Sequence, residues 1–274
     1  MKQLKFLMVA FTLLMGVSFT SCLNDDAGES MYDGIGYVRT VMGSYFVDLY
    51  GNTYHPTMAS VTEMEAQGFK MSGTDLAQIA FKYVEDTPAT KAEGGTFTPQ
   101  DYRIKLVSAI AVDSYSTRYA SSVEDMETIP ETAPIVTLEP TDNYGQTYKP
   151  WMYGAEMLVL PISWKMENKM ENKEEMLKQH TMELVYINDE SNESSTELVF
   201  YLRHNKGTDT KTDVFAVRNK AYDVKQIMSD FKGKHGSYPT TIRIKAKTDM
   251  DGAKLPEKYT DYTIENFKWN PSNQ

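Results

Sequence analysis

Alternation of apolar and polar positions is the strongest signal along the chain. Ala77, Ile79, Phe81 and Tyr83 alternate with Gln78, Ala80 and Lys82, and Ile104, Leu106, Ser108, Ile110 and Val112 keep the same period of two, the period at which strand side chains point to opposite faces. Ahead of them, 34–41 (GIGYVRTV) and 44–49 (SYFVDL) are rich in β-formers and flank Met42-Gly43, which predicts a hairpin with a glycine at its turn. Tyr50-Gly51-Asn52 marks the next turn, leading into 53–58. Ser60-Val-Thr-Glu63 fits a capping box, with Val61 and Met64 on one helical face and Gly68 as the stop. Residues 33–115 thus read as three strands, a helix and two longer strands, the element order of an OB barrel, whose helix follows its third strand. The Gly-, Pro- and Thr-rich stretch 87–100 is predicted as a long hairpin loop.

Residues 116–134 (STRYASSVEDMETIPETAP) show no periodicity and read as an interdomain connector. Over 135–274 seven strand candidates follow, at 135–139, 155–164, 180–187, 196–204, 212–218, 240–247 and 259–267. Seven short strands separated by turns predict an immunoglobulin-like β-sandwich. A short helix opening at Asp223-Val-Lys-Gln226 carries Val224, Ile227, Met228 and Phe231 and stops before Gly233. The expected fold is therefore mainly β, an OB-fold barrel followed by a β-sandwich.

The first 21 residues differ from the rest. Lys2 and Lys5 precede the apolar run FLMVAFTLLMGV at 6–17, which is too short to span a bilayer and reads as a secretory signal. Ser21-Cys22 behind that run resembles the bacterial lipoprotein signal, and the resemblance implies cleavage and acylation at Cys22, with 22–32 as a tether. Asp25-Asp26 is similar to an export tag for the outer face of the outer membrane. At about 0.8 kcal/mol per buried methylene, two or three acyl chains would anchor the protein permanently. Cys22 is the only cysteine, so once it is acylated no disulfide, thiolate metal site or cysteine nucleophile is left.

Without the signal, 26 Lys and Arg face 38 Asp and Glu, a balance of −12 that repels phosphate backbones and argues against nucleic acid as a partner. His55, His180, His204 and His235 are far apart in sequence and lack paired metal-ligand spacing; Arg203 and His204 read as a strand end in structural hydrogen bonds. No nucleophile elbow, phosphate loop or dinucleotide fingerprint occurs, so neither an enzyme nor a cofactor is expected. Asp249-Met-Asp251-Gly252 has its glycine too early for a calcium loop and reads as a plain turn. Tyr144, Tyr148, Trp151 and Tyr153 crowd DNYGQTYKPWMY; such rings can stack on a sugar or anchor a protein, and equally can cement an interface between domains, the reading favoured here. The repeat KMENKMENKEE at 165–175 sets Met166 and Met170 one helical turn apart, as in a partner-binding helix, but its charge favours a solvated insertion.

An acylated cysteine, a Gly-x-Val hairpin with a Tyr-x-x-Asp-like second strand, and Glu-Leu-Val-Phe-Tyr-Leu-Arg-His-Asn at 197–205 together resemble the NigD-like lipoprotein family over essentially the whole chain. The Tyr50-Gly51-Asn52 turn departs from the Asp-Gly usual there. The resemblance implies an OB domain followed by a β-sandwich, no settled activity, no catalytic residues to carry over, and a bacteriocin-linked role by family name. The expectation is a lipid-anchored, non-enzymatic outer-membrane module that binds another envelope protein or a secreted peptide. The alternatives are a glycan-binding lipoprotein using Tyr148, Trp151 and Tyr153, and a hydrolase with an unrecognised carboxylate site.

Overall fold

The computed structural model describes residues 31–84, 99–168, 173–188 and 194–265. The signal, Cys22, almost all of the tether, most of the 87–100 loop, Met170 and Phe267 lie outside the described residues. The chain divides into two compact units between Ser114 and Tyr115.

The first unit carries β1 (Gly34–Val41), β2 (Tyr45–Val47), β3 (Thr53–Pro56), α1 (Met58–Ala66), β4 (Leu76–Tyr83) and β5, which starts at Asp101 and runs to Ser116. The strands lie side by side in the order β3-β2-β1-β4-β5, and β3 pairs in parallel with β5, Tyr54 opposite Tyr102, to close the sheet on itself. That is the OB barrel the element order predicts. Its core follows from the alternation: Val38, Phe46, Tyr54, Ile79, Phe81, Ile104 and Leu106 point inward, joined by Met64 from α1 and by Phe69 and Met71 beyond it. The helix starts two residues before the predicted capping box. Pro56 ends β3, Thr57 stays extended, and its Oγ1 accepts the Ser60 N–H at 3.4 Å. Ser60 is left buried inside the first turn, its own hydroxyl donating to the Thr57 carbonyl at 2.9 Å. Gly68 does end the helix, its N–H bonding the Glu65 carbonyl.

The second unit holds β6 (Arg118–Ala120), α2 (Val123–Glu127), β7 (Trp151–Tyr153), β8 (Met157–Met166), α3 (Lys173–Gln179), β9 (Thr181–Ile187), β10 (Glu197–Asn205), β11 (Val214–Asp223), α4 (Lys225–His235), β12 (Thr241–Ala246) and β13 (Thr260–Glu265). Five strands form one sheet in the order β13-β12-β10-β9-β6, and β11, β8 and β7 lie adjacent in another. Leu198, Phe200 and Leu202 of the first sheet and Leu158, Leu160, Ile162 and Trp164 of the second are all buried. The two sheets touch through the Tyr222 hydroxyl on β11, which donates to the Met182 carbonyl on β9 at 3.0 Å. This is the expected sandwich, with two parallel pairings, β10 with β12 and β6 with β9, where an immunoglobulin domain is wholly antiparallel.

Four local expectations are revised. Residues 116–134, read as a connector from composition, supply β6 and α2, whose Met126 packs with Ala120, Ile129 and Val185. The segment 135–139 forms isolated bridges, Ile135 to Thr248 and Thr137 to Ser163, instead of a strand. The α4 helix runs through Gly233 and stops at Gly236, which takes the left-handed conformation, while Val224, Ile227, Met228 and Phe231 are buried as expected. Met166 ends strand β8 buried in the core and is not on a helix; the helix that follows, α3, buries Met176.

On the outer face of the five-stranded sheet, Arg243 joins both neighbouring strands. Its guanidinium reaches Glu197 Oε1 at 2.6 and 2.8 Å and Asp261 Oδ2 at 3.0 Å. Phe46, fully buried inside the barrel, tests the core directly: Phe46→Ala is expected to lower stability by about 3–5 kcal/mol, seen as an earlier urea midpoint.

Candidate functional site

Two histidines separated by 24 positions meet inside the second unit. The antiparallel register of β9 and β10 sets Thr181 opposite Asn205 and Met182 opposite His204, and His180 is the residue just before β9. His204 follows Leu198, Phe200 and Leu202 on the inward side of β10, so its ring enters the core. The result is a buried polar chain: His180 Nδ1 lies 2.9 Å from His204 Nε2, His204 Nδ1 lies 2.9 Å from the Pro134 carbonyl, and His180 Nε2 lies 2.9 Å from Asp209 Oδ2. Both histidines are 2% exposed. The Trp164 indole packs against the two rings at centroid distances of 6.1 and 6.5 Å.

Burial works against charge on both imidazoles, and it pushes His204 down to about 4, with the Pro134 carbonyl opposing the shift. Burial likewise lowers the His180 pKa, with the Asp209 carboxylate opposing the shift. Asp209 is held below the ordinary carboxylate range: burial raises it, but the N–H groups of Lys211 and Glu167, both at 2.9 Å, and His180 outweigh that.

A second buried cluster ties the 128–135 segment to the outer face of the same sheet. Arg203 Nε donates to the Ile129 carbonyl at 3.0 Å, and its guanidinium lies 3.5 Å from Glu131, which also pairs with Lys247 at 3.1 Å. Arg203 Nη1 reaches the Tyr259 hydroxyl at 3.4 Å. The 2–3% exposure of His180, His204 and Asp209 leaves them little access to a substrate. Arg203 and Glu131 are likewise buried against protein partners. Among the described residues, no group of three or more His, Cys, Asp and Glu side chains could hold a metal ion. His55 sits apart on the barrel exterior beside Tyr45, and the His235 ring lies tilted against Phe231 at the end of α4. The Asp249 carboxylate accepts the N–H groups of Asp251, Ala253 and Lys254, which makes that segment a turn, as its early glycine predicts.

The aromatic segment separates into distinct environments. Tyr153 is 3% exposed and Trp151, half-buried, meets it edge-on at 6.2 Å. Tyr148 is half-buried and donates its hydroxyl to Asp142 at 3.1 Å. Tyr144, at 83%, stands out in solvent.

Around these residues lies a repeat that periodicity does not reveal. DLYGNTY at 48–54 in the first unit and DNYGQTY at 142–148 in the second share five of seven residues, and they fold alike. In each, one aspartate oxygen accepts two backbone N–H groups, from Tyr50 and Asn52 at 2.8 and 2.9 Å and from Tyr144 and Gln146 at 2.7 and 2.9 Å. The other oxygen accepts a tyrosine hydroxyl, Tyr54 at 3.0 Å and Tyr148 at 3.1 Å. Gly51 and Gly145 both take φ +83°, where a side chain would be strained. Aspartate, glycine and the last tyrosine are each accounted for by the turn. Its first tyrosine, Tyr50 or Tyr144, is exposed in both copies. Comparing the two segments directly would have exposed the repeat.

No family model matches the chain, and no curated protein matches it. Solved structures do. A putative lipoprotein from Bacteroides fragilis is 22% identical, with a TM-score of 0.64 over 86% of this chain and 98% of that one. A protein of unknown function from Bacteroides vulgatus is 10% identical, with a TM-score of 0.51 over 85% and 89%. A NigD-like immunity protein from Bacteroides caccae also matches, at 12% identity and a TM-score of 0.47 over 86% and 93%. The first two similarities show a shared fold running through both domains.

The buried chain predicts an acid sensitivity of defined sign. An unfolded histidine titrates near 6.5 and folded His204 near 4, so its neutral form stabilises the fold fully above about 6.5, and that contribution is lost as pH falls toward about 4. The loss amounts to about 3 kcal/mol. Denaturant midpoints measured between these limits should show it in the wild type and lack it in His204→Gln, whatever the baseline stability of that variant.

Proposed function

We propose that the protein is a lipid-anchored envelope protein of the NigD-like kind, held at the outer membrane through Cys22, whose two β-domains form a non-enzymatic binding or protective module. The observation that carries this reading is the position of its only cysteine, directly behind Ser21 and a cationic, then apolar, leader. The fold shared with a Bacteroides fragilis lipoprotein supports it. A non-enzymatic role is supported by the burial of the ionisable clusters, whose polar atoms are directed at other protein groups. Among the described residues, no helix is long and apolar enough to cross a membrane. The partner we propose is another envelope protein or a secreted peptide, and the link to bacteriocins rests on the family name.

One specific observation favours glycan binding as a second reading: the same turn presents a solvent-facing tyrosine once in each domain, with Tyr50 52% and Tyr144 83% exposed. A ring on a rigid turn loses little entropy on contact and offers a flat apolar face to a pyranose. Tyr148, which closes the second copy, and Trp151 just beyond it are half-buried, and Tyr153 belongs to the core.

The first reading is tested by fractionating cells that make the wild type or Cys22→Ser. The wild type should sediment with membranes and carry a diacylglyceryl mass at residue 22, and the variant should be released; an unmodified wild-type cysteine would overturn the anchor. The second is tested on a glycan array, where Tyr50→Ala with Tyr144→Ala should weaken retention by about tenfold or more at unchanged melting temperature. A wild type that retains no glycan would exclude it.

A further inference from the structure

The chain from Asp209 to Pro134 makes three polar contacts of 2.9 Å, and each requires one proton between its two heavy atoms. A peptide carbonyl only accepts, so the contact with Pro134 is made by an N–H at His204 Nδ1. If His204 is neutral, as its burial demands, its Nε2 is a bare lone pair and the proton of the middle contact must come from His180 Nδ1. His180 Nε2 meanwhile faces an oxygen of Asp209, a carboxyl group that already accepts the N–H groups of Glu167 and Lys211 and is thereby held as a carboxylate. Two neutral rings bring two protons to three contacts. One contact would then be left with lone pairs opposed across 2.9 Å inside the core.

We propose that His180 is a doubly protonated imidazolium at neutral pH, donating Nδ1–H to His204 and Nε2–H to the Asp209 carboxylate, and that this buried charge is a pH-sensitive latch fastening the 206–213 segment to the sheet. Asp209 is the point of attachment. One of its oxygens receives His180 and the Glu167 N–H at the end of β8, and the other receives the Lys211 N–H within the segment itself. When His180 loses a proton as pH rises, one of the three contacts fails and the hold on Asp209 weakens.

Several groups face His180 from the surrounding elements. Asp209 attracts its charge, and neutral His204 on β10 accepts from it. The Trp164 ring on β8 lies alongside, at a centroid distance of 6.1 Å. Lys206 beyond β10 and Lys220 on β11 oppose its charge. The Lys220 ammonium donates to the Tyr115 hydroxyl at 2.8 Å while lying over that ring. Burial opposes the charge more strongly than either lysine, and the charge is assigned against that burial by the three contacts, each of which needs a proton.

Nitrogen-15 spectra of the histidines, assigned with His180→Gln and His204→Gln, test the proposal. At neutral pH His180 should show two protonated nitrogens, and His204 one, at Nδ1. Raising the pH should convert His180 to a neutral ring and speed exchange of the Glu167 and Lys211 amides by about tenfold beyond the ordinary base-catalysed increase. Asp209→Asn removes the counter-charge and should move the His180 titration down by about one unit or more. A neutral His180 in the wild type at neutral pH overturns the proposal, whether the third proton is missing or sits on Asp209, and so does a titration unmoved in Asp209→Asn. Should that variant fail to fold, the wild-type spectra decide alone.

Discussion

Two imidazoles placed end to end in an apolar core set the terms for much of the sandwich domain. Each ring must give or receive at both nitrogens, so His180 and His204 fix more than each other. They fix Asp209 in the segment after β10 and Pro134 in the segment before the second sheet begins. A buried chain of this kind contributes modestly when every contact is made and is costly when one is not. It therefore specifies where two irregular segments lie, a task that the apolar packing of Leu202 and Trp164 around it cannot perform, since apolar contacts have no direction. The Arg203–Glu131–Lys247 cluster holds the same 128–135 segment from the other face of the sheet.

The regular part of this architecture was legible because its strands are amphipathic or uniformly apolar. Period-two alternation located β4, β5, β10 and β12 within a few residues, and the order of elements was enough to name the barrel. Short elements escaped: β6 and β7 have three residues each, too few for a period, and α2 hides in a stretch whose Ser, acids and prolines look like linker. The start of α1 was misplaced because Thr57 and Ser60 are both competent caps, and the backbone is extended at Thr57, whose side chain accepts the Ser60 N–H. Of the buried histidine chain, only the structural hydrogen bonding of Arg203 and His204 at the end of β10 could be read. Its members are 24 and 29 positions apart along the chain, and what joins them is strand register, which no local pattern encodes.

The repeated seven-residue turn shows the opposite case, a signal present in the sequence and visible only once its geometry is known. Its aspartate does the work of a missing strand pair, gathering two N–H groups and a hydroxyl, while its glycine supplies a backbone angle other residues avoid. The same solution appears in a closed barrel and in a sandwich, so the turn organises itself from its own residues and asks little of the surrounding sheet. The solvent-facing tyrosine is a repeated feature that this self-sufficiency does not explain.

The guanidinium of Arg243, bound to a carboxylate on each neighbouring strand, has a consequence for how the five-stranded sheet assembles. Exposed pairs of this kind add well under a few kcal/mol to the finished fold. A slip of β12 by one residue would turn that cation inward toward the core that holds Leu198 and Phe200, where an unmatched charge is prohibitive, and would turn Ile242 and Ile244 out to solvent. The residue thus acts as a proofreader during folding, adding little to the correct alignment and rejecting the misaligned one outright.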